Sequence, residues 1–81
     1  MSDKTESYSV VDIDTIEIKE VLDYVYKALE ERGYHPTNQL VGYLISGDPG
    51  YISSYKDARK KIQQFDRSKI LSVLLESFQG K

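Results

Sequence analysis

Asp14-Thr15-Ile16-Glu17-Ile18-Lys19-Glu20-Val21-Leu22-Asp23-Tyr24-Val25-Tyr26-Lys27-Ala28-Leu29-Glu30-Glu31-Arg32-Gly33 is the stretch that decides the fold. Within it Ile18, Val21, Leu22, Val25 and Leu29 recur at steps of three and four, which draws one apolar stripe along a helix. Glu17, Glu20, Asp23, Glu30 and Glu31 fall mostly on the polar side, beside Lys19 and Lys27. Asp14, followed three residues later by Glu17, has the spacing of a capping box with Asp in place of Ser or Thr. Gly33 supplies the residue type that closes a helix in the left-handed conformation. The spacing predicts a helix from Asp14 to about Arg32.

Working outward toward the C-terminus, Pro36 stands where a first helical turn tolerates its missing N–H. Leu40, Val41, Leu44 and Ile45 then form a second apolar face. Gly42 lies inside that run at roughly 1 kcal/mol below Ala in helix propensity, so it marks a close approach, expected from another helix. Ser46-Gly47-Asp48-Pro49-Gly50 is a dense breaker cluster that ends the helix. Ser53 or Ser54 is placed to cap a third helix running to about Gln64, with Ala58, Ile62 and Phe65 inward. Asp66 is placed to cap a fourth, in which Ile70, Leu71, Val73, Leu74 and Phe78 nearly encircle the axis. That is more apolar surface than one small core uses, and it points to a second copy of the chain. A helix-turn-helix reading fails on length, because the turn from Gly47 to Ser53 exceeds the three or four residues of that motif.

Toward the N-terminus, residues 1–14 are acidic and hydroxyl-rich and bury too little apolar surface to offset ordering entropy. The chain thus reads as all-α: a flexible N-terminal tail over 1–14, then a compact bundle of about four short helices over 15–79, homodimeric. Its 81 residues leave room for one domain, and a core of that size is marginal unless something reinforces it. With no cysteine there is no disulfide or thiolate site, and with one histidine there is no multi-histidine metal site. No metal and no cofactor are expected, and self-association remains as the reinforcement. No apolar run approaches the roughly 18 residues of a membrane span, and no secretory leader is apparent, so a cytoplasmic protein without membrane insertion is expected.

Catalytic constellations are missing. His35 stands between Tyr34 and Pro36 at a helix start, with no nucleophile placed beside it, and reads as a solvated loop residue. No serine lies in a Gly-x-Ser-x-Gly elbow, and the 47–50 cluster matches neither a phosphate loop nor a calcium loop. The charge distribution says more. Residues 56–69 hold six cations (Lys56, Arg59, Lys60, Lys61, Arg67 and Lys69) against Asp57 and Asp66, on a chain of net charge −2. A solvated helix face is the plainer reading, and an anion or partner site at Arg59, Lys60, Arg67 and Lys69 the sharper one. Nucleic acid is disfavoured by the overall acidity, although a small nucleic-acid-binding module remains the alternative function. Seven tyrosines suit either core rim or protein interface. In the tail, Ser2 and Thr5 lie among Asp3, Lys4 and Glu6, where a kinase can reach an extended hydroxyl.

The run Gly33-Tyr34-His35-Pro36-Thr37-Asn38-Gln39-Leu40-Val41-Gly42-Tyr43-Leu44-Ile45-Ser46-Gly47-Asp48-Pro49-Gly50-Tyr51-Ile52, continued by Lys56-Asp57-Ala58-Arg59 and Phe65-Asp66-Arg67, closely resembles the signature of the IreB family of small regulatory phosphoproteins of low-GC Gram-positive bacteria. The resemblance covers about residues 15–78. It rests on Gly33, Tyr34, Pro36, Asn38, Gln39, Gly42, Tyr43, Gly47, Asp48, Pro49, Tyr51, Ala58 and Arg59, and departs at His35 and at Ser53-Ser54. It implies a non-enzymatic homodimeric regulator. Its N-terminal threonines would be phosphorylated by a membrane Ser/Thr kinase with PASTA repeats and dephosphorylated by a cognate phosphatase. The process so regulated would be the cell-envelope stress response and intrinsic cephalosporin resistance, under negative control through a downstream protein that the sequence does not name. Thr5 falls on the second threonine of the family's tail pattern, and Ser2 replaces the first.

Overall fold

The computed structural model describes residues 13–80. Four α-helices follow one another: α1 (Ile13–Glu31), α2 (Pro36–Ser46), α3 (Ala58–Ile62) and α4 (Arg67–Phe78), with short 3₁₀ turns at Pro49–Tyr51 and Tyr55–Asp57. No strand occurs among the described residues. Most of the tail expected over 1–14, including Ser2, Thr5 and Tyr8, lies outside them; Ile13 and Asp14 are already helical.

α1 is the central element, and Ile18, Val25, Ala28 and Leu29 are its buried stripe. Asp14, read as the cap, instead sits inside the first turn, where its carboxylate suits the positive end of the helix dipole. The C-terminal end closes as the sequence expects. Gly33 takes φ +81°, its N–H bonds the Glu30 carbonyl at 2.9 Å, and the Tyr34 N–H bonds the Leu29 carbonyl at 3.0 Å. Those two crossing bonds are a Schellman closure.

α2 begins at Pro36 and ends at Gly47 (φ 78°), whose N–H bonds the Tyr43 carbonyl at 2.7 Å. Its inward face differs from the expected one. Tyr43 is buried and Leu40 and Leu44 pack at the core edge, while Val41 is half exposed and Ile45 is 79% exposed. α1 and the Pro49–Tyr51 turn pack against α2, and Val41 and Ile45 are left exposed.

The third helix is broken where the sequence expects it to run on. Ser53 does make a side-chain turn, its Oγ accepting the Tyr55 N–H at 3.1 Å, whereas Ser54 makes no side-chain cap. Lys56 and Asp57 then both take left-handed dihedrals, so the regular helix covers only Ala58–Ile62. Ala58 and Ile62 are buried as expected, and Phe65 packs at the core edge. Asp66 precedes α4 in an extended conformation without a side-chain cap bond. Only Ile70 and Val73 of α4 are buried. Leu71 and Leu74 are partly exposed, Leu75 is 67% and Phe78 83% exposed. Ile52, carried by the connection after the Pro49–Tyr51 turn, fills the centre.

Candidate functional site

The signature segment folds into a self-contained knuckle. Ser46 Oγ donates to the Gly42 carbonyl at 2.7 Å and accepts the Asp48 N–H at 3.0 Å, and Asp48 Oδ1 accepts the Gly50 N–H at 2.8 Å. These side-chain turns fix the reversal at Pro49. Gln39 Nε2 donates to the Tyr51 carbonyl at 3.0 Å, which holds the Tyr51 ring over Gly42. A Cβ at Gly42 would lie 2.5 Å from Tyr51 Cε1, so the close approach expected there is an aromatic ring rather than a helix. Tyr34 and Asn38 of the same stretch are exposed.

Arg67 ties α4 to this knuckle. Its Nη1 donates to the Leu44 carbonyl at 3.0 Å, a cation at the negative end of α2. Its guanidinium carbon lies 2.8 Å from where a Gly47 Cβ would be, but that flexible end can shift, so it is the φ of +78° that calls for glycine. Arg59 is likewise turned to the backbone, its Nε donating to the Ile52 carbonyl at 2.8 Å in a half-buried setting. Each arginine has further N–H donors beyond the one so used. Arg59 and Lys60 come together with Ser54, Asp57 and Gln63 in a shallow notch of about 230 Å³. Arg67 sits instead at the α2 terminus, and the half-buried Lys69 belongs to α4.

A second cluster was not legible in the basic run. Glu31 Oε1 receives the Tyr55 hydroxyl at 3.0 Å and the Lys56 ammonium at 3.1 Å. The Tyr55 ring has Arg32 5.2 Å and Lys56 5.4 Å from its centroid. Lys61 lies 5.0 Å from the Tyr24 centroid, and the Tyr24 hydroxyl donates to the Lys56 carbonyl at 2.8 Å. The hydrogen bonds from Lys56 and then Tyr55 hold the Glu31 carboxyl below the usual range, and the same bond from Glu31 raises Lys56. An open cleft of about 320 Å³ runs beside this cluster, with Glu20, Asp23, Tyr24 and Lys27 on its wall. The tyrosine count was the one available signal. It could not say which rings would find cations.

An apolar groove of about 260 Å³ lies between Leu22 and Tyr26 of α1, Leu40, Val41 and Leu44 of α2, and Leu74 of α4. His35 stands at the α2 N-cap without a side-chain cap bond. Among the described residues no three His, Cys, Asp or Glu side chains converge as metal ligands, and no helix is long and apolar enough to cross a membrane.

Fold and surface together define a small all-helical domain whose polar side chains brace the backbone and one another. The family model described as IreB regulatory phosphoprotein matches residues 3–79. The chain belongs to that family, and a regulatory phosphoprotein role follows from the membership.

Proposed function

We propose that this chain is a non-enzymatic cytoplasmic switch set by reversible phosphorylation of Thr5. A membrane Ser/Thr kinase with PASTA repeats adds the phosphate and a cognate phosphatase removes it. The output is negative control of the cell-envelope stress response and cephalosporin resistance, delivered through a downstream protein that binds the helical domain. The observation that supports this reading is the family match over residues 3–79; Ser2 is kept as a second candidate acceptor. The working unit is a homodimer, in which the exposed apolar side of α4 and the adjoining groove meet a second copy.

Phosphate on Thr5 adds about −1.5 to −2 charge to a tail that is already acidic. The notch holding Arg59 and Lys60 is the seat of the helical domain that suits it. The test is incubation with the kinase followed by intact-mass and fragment analysis. One phosphate on Thr5, absent in Thr5→Ala, supports the reading, and movement of the Arg59 and Lys60 resonances supports the seat. An unmodified protein beside a kinase active on another substrate sinks the phosphorylation reading.

A further inference from the structure

Lys56 (φ 53°, ψ 32°) and Asp57 (φ 62°, ψ 20°) are consecutive left-handed residues. Side chains with a Cβ avoid that conformation, and glycine is the residue that relieves it. Neither position carries glycine, although the chain uses glycine for its other left-handed sites at Gly33, Gly47 and Gly80. The local sequence from Ser53 to Gln64 favours an uninterrupted helix. Inside the segment the Ser53 carbonyl takes the Arg59 N–H and the Ser53 Oγ the Tyr55 N–H, each at 3.1 Å, and contacts from outside add to these.

The outside contacts come from α1. The Tyr24 hydroxyl bonds the Lys56 carbonyl at 2.8 Å, and Glu31 takes both the Tyr55 hydroxyl at 3.0 Å and the Lys56 ammonium at 3.1 Å. Strained backbone persists where surrounding contacts over-determine it, and such places are often switch regions. Glu31 and Lys56 side chains are 48% and 49% exposed, and both line the open cleft on α1. The tethers are within reach of a partner.

We propose that residues 55–57 form a two-state latch. Tyr24 and Glu31 hold the left-handed turn; when a cationic group of a partner takes Glu31 in the cleft, the segment winds right-handedly and extends α3 toward Ser54. Winding swings Tyr55 and Lys56 away from the α1 terminus and re-forms the surface beside it. Tyr55 packs at the core edge in the tethered state, which keeps the wound state minor until the tethers are withdrawn.

Two measurements test this. In Tyr24→Phe/Glu31→Ala, backbone couplings and Cα shifts at residues 56 and 57 move from left-handed to right-handed helical values. Unchanged left-handed values in the folded double variant overturn the latch. Should that variant not fold, Tyr24→Phe alone decides by the same readout: a shift of the couplings at 56 and 57 toward right-handed helical values supports the latch, and left-handed values identical to those of the intact chain overturn it.

Discussion

Gly42 shows how one hydrogen atom decides a contact. In an exposed helix interior alanine is better than glycine by about 0.5–1 kcal/mol. Here the Tyr51 ring lies against the glycine, with its Cε1 and Cδ1 2.5 and 2.6 Å from a hypothetical Cβ, and Gln39 fixes the Tyr51 carbonyl from the other side. Gly42→Ala must push the ring away, and overpacking of this kind costs roughly 1–3 kcal/mol. Removing the ring removes the conflict. Gly42→Ala is therefore expected to destabilise the intact protein and to stabilise the Tyr51→Ala variant by about 0.5–1 kcal/mol. A denaturant-unfolding double-mutant cycle reads this directly, and a cycle without reversal of sign contradicts the ring-on-glycine contact. From the sequence, a glycine amid Leu40, Val41, Leu44 and Ile45 signals something close. It does not say what, because the ring arrives from beyond the breaker cluster, where periodicity carries no positional information.

Elements differ in how locally they are determined. α1 was legible because its stripe, its acidic first turn and Gly33 all act within one turn of chain. α2 was legible in extent, from Pro36 to Gly47, but not in facing: Leu40, Val41, Leu44 and Ile45 make an arc wide enough to bury either edge, and packing against α1 and the Pro49–Tyr51 turn buries the edge that includes Tyr43. α3 was misread because the left-handed pair Lys56 and Asp57 interrupts it, and neither residue type signals that conformation; the turn is contacted by Tyr24 and Glu31 from far back in the chain as well as by Ser53. Arg59 and Arg67 were legible as cations but not as donors to Ile52 and Leu44, since the carbonyl a guanidinium finds depends on helix placement. The α1–turn junction has a pH signature. Hydrogen bonds from Lys56 and Tyr55 depress the Glu31 pKa from its ordinary 4.5. A carboxyl depressed on folding contributes stability above its unfolded pKa, and that contribution fades as pH falls through the folded one. NMR titration is expected to find the Glu31 pKa lowered in the intact chain and moved upward in Lys56→Ala, with the smaller Tyr55 contribution left in place. An unmoved Glu31 in that variant contradicts Lys56 as the main cause.

At the scale of the whole molecule the unresolved tension is between a small core and a large apolar exterior. α4 buries only Ile70 and Val73, and exposes Leu75 and Phe78 on a helix that Arg67 anchors at one end. The groove between α1, α2 and α4 continues that surface through Leu74. Specific dimers bury about 800 Å² per partner, with a few central aromatic or aliphatic anchors carrying most of the affinity. Phe78 and Leu75 have the exposure and chemistry of such anchors. Phe78→Ser and Leu75→Asp are each expected to loosen the homodimer about 30-fold or more, the effect of losing a hot spot of roughly 2 kcal/mol. Both side chains face outward, so helicity by circular dichroism should hold at concentrations where the intact dimer has dissociated. Sedimentation equilibrium supplies the dissociation constants, and the melting temperature of the intact chain should rise with concentration where folding and association are linked. A wild-type chain that sediments as a monomer throughout the micromolar range removes the dimer. In that case the same apolar surface is left open to the downstream partner proposed above, and the Phe78→Ser and Leu75→Asp variants become the probes of that contact.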